Sequence, residues 1–223
     1  MNKRVLMVLT SYSDLGGVRK TGFYVPEAAH LYWVFKAREY SVDFVSTAGG
    51  QPPMDGYNAN DAEQVRFLED PEVKAKLTNT LTPDAVNPAD YDVIFYVGGH
   101  GTMWDFPNNP QLAKIAAHIY ENGGVVAAVC HGPAGLVNIQ LSNGEFLVKG
   151  KTLAAFTNAE EEAVGLTNTV PFLLQSKLEE RGANHVAAPN FQPNVQVSER
   201  LATGQNPTSA KPLAEAIVKL LEG

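Results

Sequence analysis

The sequence predicts an α/β fold in which helices cover both faces of a doubly wound, mostly parallel sheet of the flavodoxin-like kind. Short runs of consecutive apolar and β-branched residues, typical of strands buried on both faces, recur along the chain. Stretches with apolar residues at helical spacing separate these runs. This alternation favours a parallel sheet, because parallel neighbours need a crossover connection. We expect residues 1–223 to form one domain, since α/β units of this size commonly do.

The first half of the chain contains four predicted strands and two predicted helices. The strands are the apolar runs 4–10, 41–47, 92–99 and 123–130. A helix is predicted between the first two strands, because Ala28, Leu31, Tyr32 and Phe35 recur at helical spacing. The second helix is predicted to begin near Pro110 and to end at the Gly123 turn.

The second half continues the alternation with shorter elements. Residues 132–139 predict a short helix, 147–156 a hairpin-like pair of strands, and 169–183 a helix ending near Gly182. Residues 185–189 and 195–204 predict further strands. The last segment places Leu213, Ile217, Leu220 and Leu221 on one helical stripe, which predicts a terminal helix.

Residues 49–90 interrupt this alternation. The segment opens with the turn-rich GGQPPMDGYNAND, and the following residues predict two short helices that are broken at Pro71. We interpret 49–90 as a small inserted flap.

Charge and composition exclude several classes of partner. The chain has 24 acidic and 17 basic residues, a formal net charge of −7, which disfavours binding to nucleic acid or to an anionic membrane. The apolar run at the N-terminus is too short for a signal peptide, and no stretch is long enough to span a membrane. The single cysteine cannot form an internal disulfide, so we expect a reducing, cytoplasmic location.

That cysteine, Cys130, lies in AAVCHGP at the carboxyl end of a predicted strand. Ligands of open α/β sheets bind at this edge, and a sharp strand-to-helix turn would project the side chain as a nucleophile elbow. The imidazole of His131, an amide-rich turn and a helix N-terminus would each lower the pKa of the thiol. The competing interpretation is a buried, inert cysteine that only packs.

The neighbouring predicted strand ends in VGGHGTMWDF. The backbone amide of Gly99, together with that of His131, is expected to form an oxyanion hole. Gly98, His100 and Trp104 of the same segment are expected to line the pocket.

A carboxyl group is expected near the same edge of the sheet. Glu27 stands near the start of the first predicted helix, among the apolar or aromatic residues Tyr24, Val25 and Ala28. Partial burial would raise the pKa of Glu27, so that it holds a proton near neutral pH and can exchange it with a substrate or thiol.

Four motifs, AAVCHGP, GGHGTMWDFPNN, KTGFYVPEAAHLY and AFTNAEEEAVGL, together resemble the ThiJ/PfpI superfamily, relatives of class I glutamine amidotransferases. The pattern is most similar to the glutathione-independent glyoxalase (glyoxalase III) branch, whose members are also described as stress-induced holdase chaperones. The resemblance implies conversion of methylglyoxal or a related 2-oxoaldehyde to lactate, without a metal or another cofactor. It also implies a homodimer.

The resemblance assigns roles to individual residues. Cys130 matches the family nucleophile, His131 the histidine beside it, and Glu27 the glutamate that bonds the cysteine. Gly99 lies where the family forms its oxyanion hole.

The motif leaves two positions for the acid of the triad. Relatives place an acid at the position of either Asn158 or Glu161, and position 158 is an amide here. Glu161 is therefore the candidate for orienting His131, and Glu162 is the alternative if the register differs. A solvated acidic face is the competing interpretation.

The sequence is also compatible with other functions. A glutaminase would need an H-x-E pair, which the chain lacks. A peptidase would depend on a particular oligomer to complete its site. A protein deglycase is a further alternative. A holdase would bind unfolded protein clients through exposed apolar residues such as Tyr57, Phe67, Leu68 and Trp104. Cys130 oxidised to a sulfinate could instead serve as a sensor. No metal site is predicted, because the histidines show no i, i+4 pair, although His30 and His100 could converge on the pocket.

Overall fold

The structure, a computed structural model, describes residues 2–223. Its strands alternate with helices along most of that range. The strands are β1 (Arg4–Leu9), β2 (Asp14–Leu15), β3 (Arg19–Lys20), β4 (Phe23–Tyr24), β5 (Ser41–Ser46), β6 (Met54–Asp55), β7 (Val93–Tyr96), β8 (Val125–Val129), β9 (Thr152–Leu153), β10 (Asn184–His185), β11 (Val195–Ser198) and β12 (Leu201–Gly204). The α-helices are α1 (Val25–Lys36), α2 (Ala62–Glu69), α3 (Pro71–Thr78), α4 (Thr102–Asp105), α5 (Pro110–Glu121), α6 (Asn158–Ala163), α7 (Leu174–Glu180) and α8 (Ala210–Glu222).

The central sheet has six strands in the order β11-β12-β8-β7-β1-β5. All neighbours are parallel except the terminal pair β11 and β12, which is antiparallel. The predicted parallel sheet is therefore confirmed. The single strand predicted at 195–204 is instead two strands, β11 and β12, joined by a turn. None of the helices in residues 2–223 combines the length and apolar character needed to cross a bilayer.

Successive residues of β1 show how helices cover both faces of the sheet. Val5 and Met7 belong to a core shared with α1 and α8, whereas Leu6 and Val8 belong to a second core shared with α5. From Val5 to Leu9, the side chains on both faces of β1 are buried, which explains why this strand is a continuous apolar run.

The region between the elbow and α7 departs from the prediction. No hairpin forms in 147–156; after a turn at Gly150, where φ is +73°, β9 pairs in parallel with β10 instead. The helix predicted in 169–183 begins only at Leu174, and the strand predicted at 185–189 reduces to β10. β9 and β10 form a separate two-stranded sheet of two residues each, outside the central sheet.

Segment 49–90 contains the two predicted helices, α2 and α3, separated at Pro71. Both helices are capped at their N-termini, by Asp61 and Asp70. Phe67 of α2 is fully buried, with its ring centroid 5.3 Å from that of Tyr32. The segment therefore packs on the body of the molecule, and Phe67 cannot belong to an exposed apolar surface.

We expect replacement of Phe67 by alanine to destabilise the whole protein, because it would leave a large cavity between α2 and α1. Buried Phe-to-Ala changes cost about 3–5 kcal/mol in the free energy of unfolding. Tyr57 of the same segment is 51% exposed and supplies the control, since Tyr57→Ala should change stability by less than about 0.5 kcal/mol. Denaturant unfolding of both variants measures this, and an equally small effect of F67A would show that the segment is only loosely attached.

Candidate active site

Cys130 occupies a sharp turn at the carboxyl end of β8. Its φ angle is +59°, in the left-handed region that non-glycine residues rarely adopt. Its backbone is held on both sides, because Cys130 N–H donates to the Gly204 carbonyl at 3.0 Å and Cys130 O accepts from Phe156 N–H at 2.9 Å. The short helix 132–136 follows at once. The geometry is that of the predicted nucleophile elbow.

Gly98 makes room for two side chains beside this elbow. The pairing of β7 with β8 sets Tyr96 opposite Ala128, so the chain beyond β7 runs alongside Cys130. A Cβ at Gly98 would overlap the Glu27 carboxylate and lie 2.9 Å from Cys130 Cβ. Gly98 therefore supports the pocket from behind and is not among the residues that line it.

Glu27 is held against the elbow by the same glycine. Gly98 N–H donates to Glu27 Oε2 at 2.8 Å, while the Gly98 carbonyl accepts from Tyr24 N–H at 3.0 Å, just before α1 begins. Glu27 is fully buried. Burial raises its pKa to about 8, although interaction with the Cys130 side chain and with Gly98 N–H opposes the rise. The expected protonated carboxyl near neutral pH is thus supported.

The expected lowering of the Cys130 pKa is wrong for the resting site. Burial raises the pKa of this thiol, and ionisation of Glu27 at higher pH would raise it further. The His131 backbone N–H opposes the rise but does not reverse it. Cys130 therefore rests as a thiol, and a base has to take its proton when the sulfur reacts.

His131 lies where such a base is needed. Its Nδ1 atom is 3.3 Å from Cys130 Sγ, and its Nε2 atom is 2.7 Å from Glu161 Oε2. Burial lowers the pKa of His131 to about 4, and the neighbouring His100 adds to this effect. The pKa of Glu161 is about 2 despite its burial, because His100 and His131 both hydrogen-bond to it. A neutral His131 that donates Nε2–H to the Glu161 carboxylate presents a free Nδ1 to the thiol.

The acidic run at the start of α6 divides into three different environments. Glu160 is buried and forms a capping box with Thr157, Glu161 faces His131, and Glu162 is exposed. Asn158 points elsewhere, with its amide donating to Ser176 Oγ. The geometry thus places Glu161, rather than Asn158 or Glu162, beside His131.

A cavity of about 440 Å³ opens above the sulfur. Cys130, His131, His100 and Gly99 are among the residues that line it. The remaining walls are contributed by residues from several loops, namely Val18, Arg19, Tyr24, Asp55, Phe156, Val164, Leu166, Phe191 and Pro207. Segment 49–90 contributes only Asp55 to this lining.

Two expected contributions to the pocket are not found there. Trp104 does not line the cavity; its ring stacks on Tyr12, with centroids 5.1 Å apart. His30 lies away from the cavity, where its Nε2 atom is 2.8 Å from Asp61 at the start of α2. Trp104 lies on α4 and His30 on α1, and the packing of these helices directs both side chains away from the cavity. The spacing of residues in the sequence does not predict this.

The expected oxyanion hole would consist of the backbone amides of Gly99 and His131. Gly99 has a φ of +109°, and a Cβ there would meet the Gly22 backbone. Within residues 2–223, no protein oxygen accepts from the Gly99 amide, and the His131 amide contacts only the Cys130 sulfur. The Gly99 N–H is thus free of a protein acceptor, whereas an oxyanion would have to compete with the Cys130 sulfur for the His131 N–H.

Two clusters have ligand types and spacing that a metal ion could use. One consists of His100, His131 and Glu161, and the other of His30, Asp61 and Glu63. In the first cluster, hydrogen bonds already connect both imidazoles to the carboxylate.

The sequence analysis does not identify two further residues at the site, Phe156 and Glu160. Phe156 packs on His131 with ring centroids 4.3 Å apart, and Glu160 accepts from the Phe191 N–H at 2.8 Å, at the rim of the cavity. The T-x-x-E spacing of Thr157 and Glu160 is a capping-box signal that could have identified the second of these. No comparable local signal marks Phe156, which reaches the site only through the fold.

The fold agrees with the comparisons to known proteins. The chain belongs to the DJ-1/PfpI family, whose model matches residues 20–220. Among curated relatives, Glyoxalase 3 of Candida albicans is 34% identical, over 98% of each chain. The glutathione-independent glyoxalase HSP31 of Saccharomyces cerevisiae is 35% identical, over 99% of this chain and 98% of that protein.

Solved structures show the same architecture. Glyoxalase III from Candida albicans superposes with a TM-score of 0.89 at 33% identity, covering 98% of this chain and 97% of that one. The Rapid Encystment Protein 24 KDa of Francisella tularensis superposes with a TM-score of 0.95 at 39% identity, covering 98% and 99%.

The raised pKa of Glu27 predicts a pH-dependent stability. A carboxyl with a folded pKa of about 8 and an ordinary unfolded value stabilises the fold below pH 4.5, and this contribution is lost as the pH rises through 8. Relative to Glu27→Gln, the wild type should lose about 2 kcal/mol of unfolding free energy between pH 5.5 and 7.5. Denaturant unfolding at the two pH values measures the difference.

The exposed Glu162→Gln variant is the control, and its stability difference from the wild type should stay constant over the same range. A constant difference for E27Q as well would mean that Glu27 is already ionised in the folded protein.

Proposed function

We propose that this protein converts a small 2-oxoaldehyde such as methylglyoxal to the corresponding 2-hydroxy acid, without glutathione, through a covalent intermediate on Cys130. The observation that carries the proposal is the chain of contacts from Cys130 Sγ to His131 (3.3 Å) and from His131 to Glu161 (2.7 Å), in which Cys130 and His131 line a cavity. The names of the two glyoxalase relatives support the same substrate class.

The first step is addition of the thiol to the aldehyde. His131 Nδ1 accepts the proton from Cys130 Sγ–H while the sulfur forms a bond to the aldehyde carbon. The carbonyl electron pair moves onto oxygen, where the Gly99 and His131 amides stabilise the charge. Glu161 stabilises the imidazolium that forms, and return of the proton to the oxygen completes a hemithioacetal.

The second step moves hydrogen between the two carbons. Removal of the proton from the former aldehyde carbon gives an enediol, and reprotonation at the adjacent carbon gives a thioester of the 2-hydroxy acid. His131 and Glu27 are the proton-exchanging groups next to Cys130, and the protonated Glu27 carboxyl can donate. Attack of water on the thioester carbon then releases the acid and restores the thiol, so that one water is consumed per aldehyde.

Replacement of Cys130 by serine tests the covalent step. Lactate formation from methylglyoxal without glutathione should fall at least about a thousandfold, since a hydroxyl is a far weaker nucleophile than a thiol. Mass spectrometry of the wild type after a brief incubation should show an adduct on Cys130 that C130S lacks. Undiminished lactate formation by C130S would remove Cys130 from the mechanism.

The pair Glu161 and Glu162 tests the acid of the triad. Glu161→Gln should lower kcat about a hundredfold, because the amide no longer stabilises the His131 imidazolium or selects its tautomer. Glu162→Gln changes the adjacent exposed carboxylate in the same way and should leave kcat unchanged. Steady-state lactate formation measures both, and equal effects of the two variants would contradict the assignment.

A further inference from the structure

His100 is a cavity-lining imidazole that the mechanism above does not use. Its Nε2 atom lies 2.9 Å from Glu161 Oε1, while His131 Nε2 lies 2.7 Å from Glu161 Oε2. Each carboxylate oxygen therefore accepts from a different histidine. A carboxylate held at both oxygens cannot rotate about its last bond without losing a hydrogen bond.

This arrangement determines which nitrogen of His131 carries a proton. Because Glu161 is ionised, it requires an N–H from each imidazole, and His131 meets that requirement with Nε2. The remaining nitrogen, Nδ1, then faces Cys130 Sγ with a free lone pair. The orientation of Glu161 thus controls the base that takes the thiol proton.

His100 also contacts His131 directly. The two ring centroids are 3.9 Å apart with the planes tilted by 39°, and Phe156 packs on His131 with its ring centroid 4.3 Å away. The His100 side chain is 13% exposed, whereas that of His131 is 1% exposed. His131 is therefore confined by His100, Phe156 and Glu161 together.

We propose that His100 is a positioning residue, which holds Glu161 in the orientation that keeps Nδ1 of His131 free to accept the Cys130 proton. The effect of His100 on catalysis rests on the proposed function. The arrangement of His100, Glu161 and His131 does not depend on the substrate. His100 acts through Glu161 and His131, and its removal affects the basicity of His131 as well as its orientation.

The direction of that effect follows from the contacts. His100 lowers the pKa of His131 by charge repulsion, and it lowers the pKa of Glu161 by hydrogen bonding. Loss of His100 should therefore raise the pKa of His131, because the repulsion disappears and Glu161 becomes a stronger partner for the imidazolium. The other titratable or charged groups around this cluster and its cavity are Glu27, Cys130, Glu160, Tyr24, Arg19 and Asp55.

The experiment compares His100→Gln and His100→Phe with the wild type from pH 3 to pH 8, a range that includes the His131 pKa of about 4. Glutamine retains an N–H donor for Glu161, whereas phenylalanine retains only the ring. Two rates are measured for each protein: lactate formation from methylglyoxal, and alkylation of Cys130 by iodoacetamide followed by mass spectrometry. His118→Gln, on the exposed side of α5, is the control for loss of a histidine elsewhere.

In H100F, we expect the acid limb of both rate profiles to move to higher pH by about one unit, and kcat to fall more than KM changes. H100Q should show a smaller shift and a kcat closer to that of the wild type, while H118Q should match the wild type. A rate reduction in H100Q and H100F with an unmoved acid limb would overturn the proposal and leave His100 a packing residue.

The two readouts separate failure of this inference from failure of the proposed function. A wild type that forms no lactate would contradict the proposed activity, yet the alkylation profiles would still test His100. H100Q, which preserves the hydrogen bond, keeps the test valid if H100F does not fold.

Discussion

The left-handed backbone at Cys130 is the constraint on which the rest of the site depends. Such a conformation costs a non-glycine residue about 1–3 kcal/mol, so it persists only where surrounding contacts require it. Here the amide and carbonyl of Cys130 are bonded to Gly204 and Phe156, on either side of the turn. The turn also brings the imidazole of His131 against the sulfur of its own neighbour, which two consecutive residues of a straight strand could not achieve.

Burial then sets the protonation states around that turn. Desolvation raises the pKa of the Glu27 carboxyl and of the Cys130 thiol and lowers that of His131, so each of the three favours its neutral form near pH 7. Glu161 stays ionised because two imidazoles donate to it. In the resting site the negative charge is therefore on Glu161, which is separated from the sulfur by His131. The thiol becomes nucleophilic only as its proton moves to His131.

The sequence predicts the sheet and the elbow well because both follow local rules. Continuous apolar runs identify buried parallel strands, and a cysteine at the end of one, followed by His-Gly-Pro, indicates the turn. Long-range packing accounts for what it misses. The capping box at Thr157 buries Glu160 and turns Glu161 inward, and Trp104 stacks on Tyr12 outside the pocket. The motif does not predict the rise in the Cys130 pKa, because desolvation depends on residues far away in the chain, whereas the neighbouring imidazole and amides are visible in the motif.

The ¹⁵N chemical shifts of His131 test the central claim, a neutral thiol and imidazole in the resting site, most directly. In protein labelled with ¹⁵N-histidine, the account predicts one protonated nitrogen, Nε2, and one unprotonated nitrogen, Nδ1, throughout pH 5.5 to 7.5, a range that lies above the His131 pKa of about 4. The His131→Gln variant assigns the signals. Two protonated nitrogens at neutral pH would show a thiolate–imidazolium pair and would contradict the account.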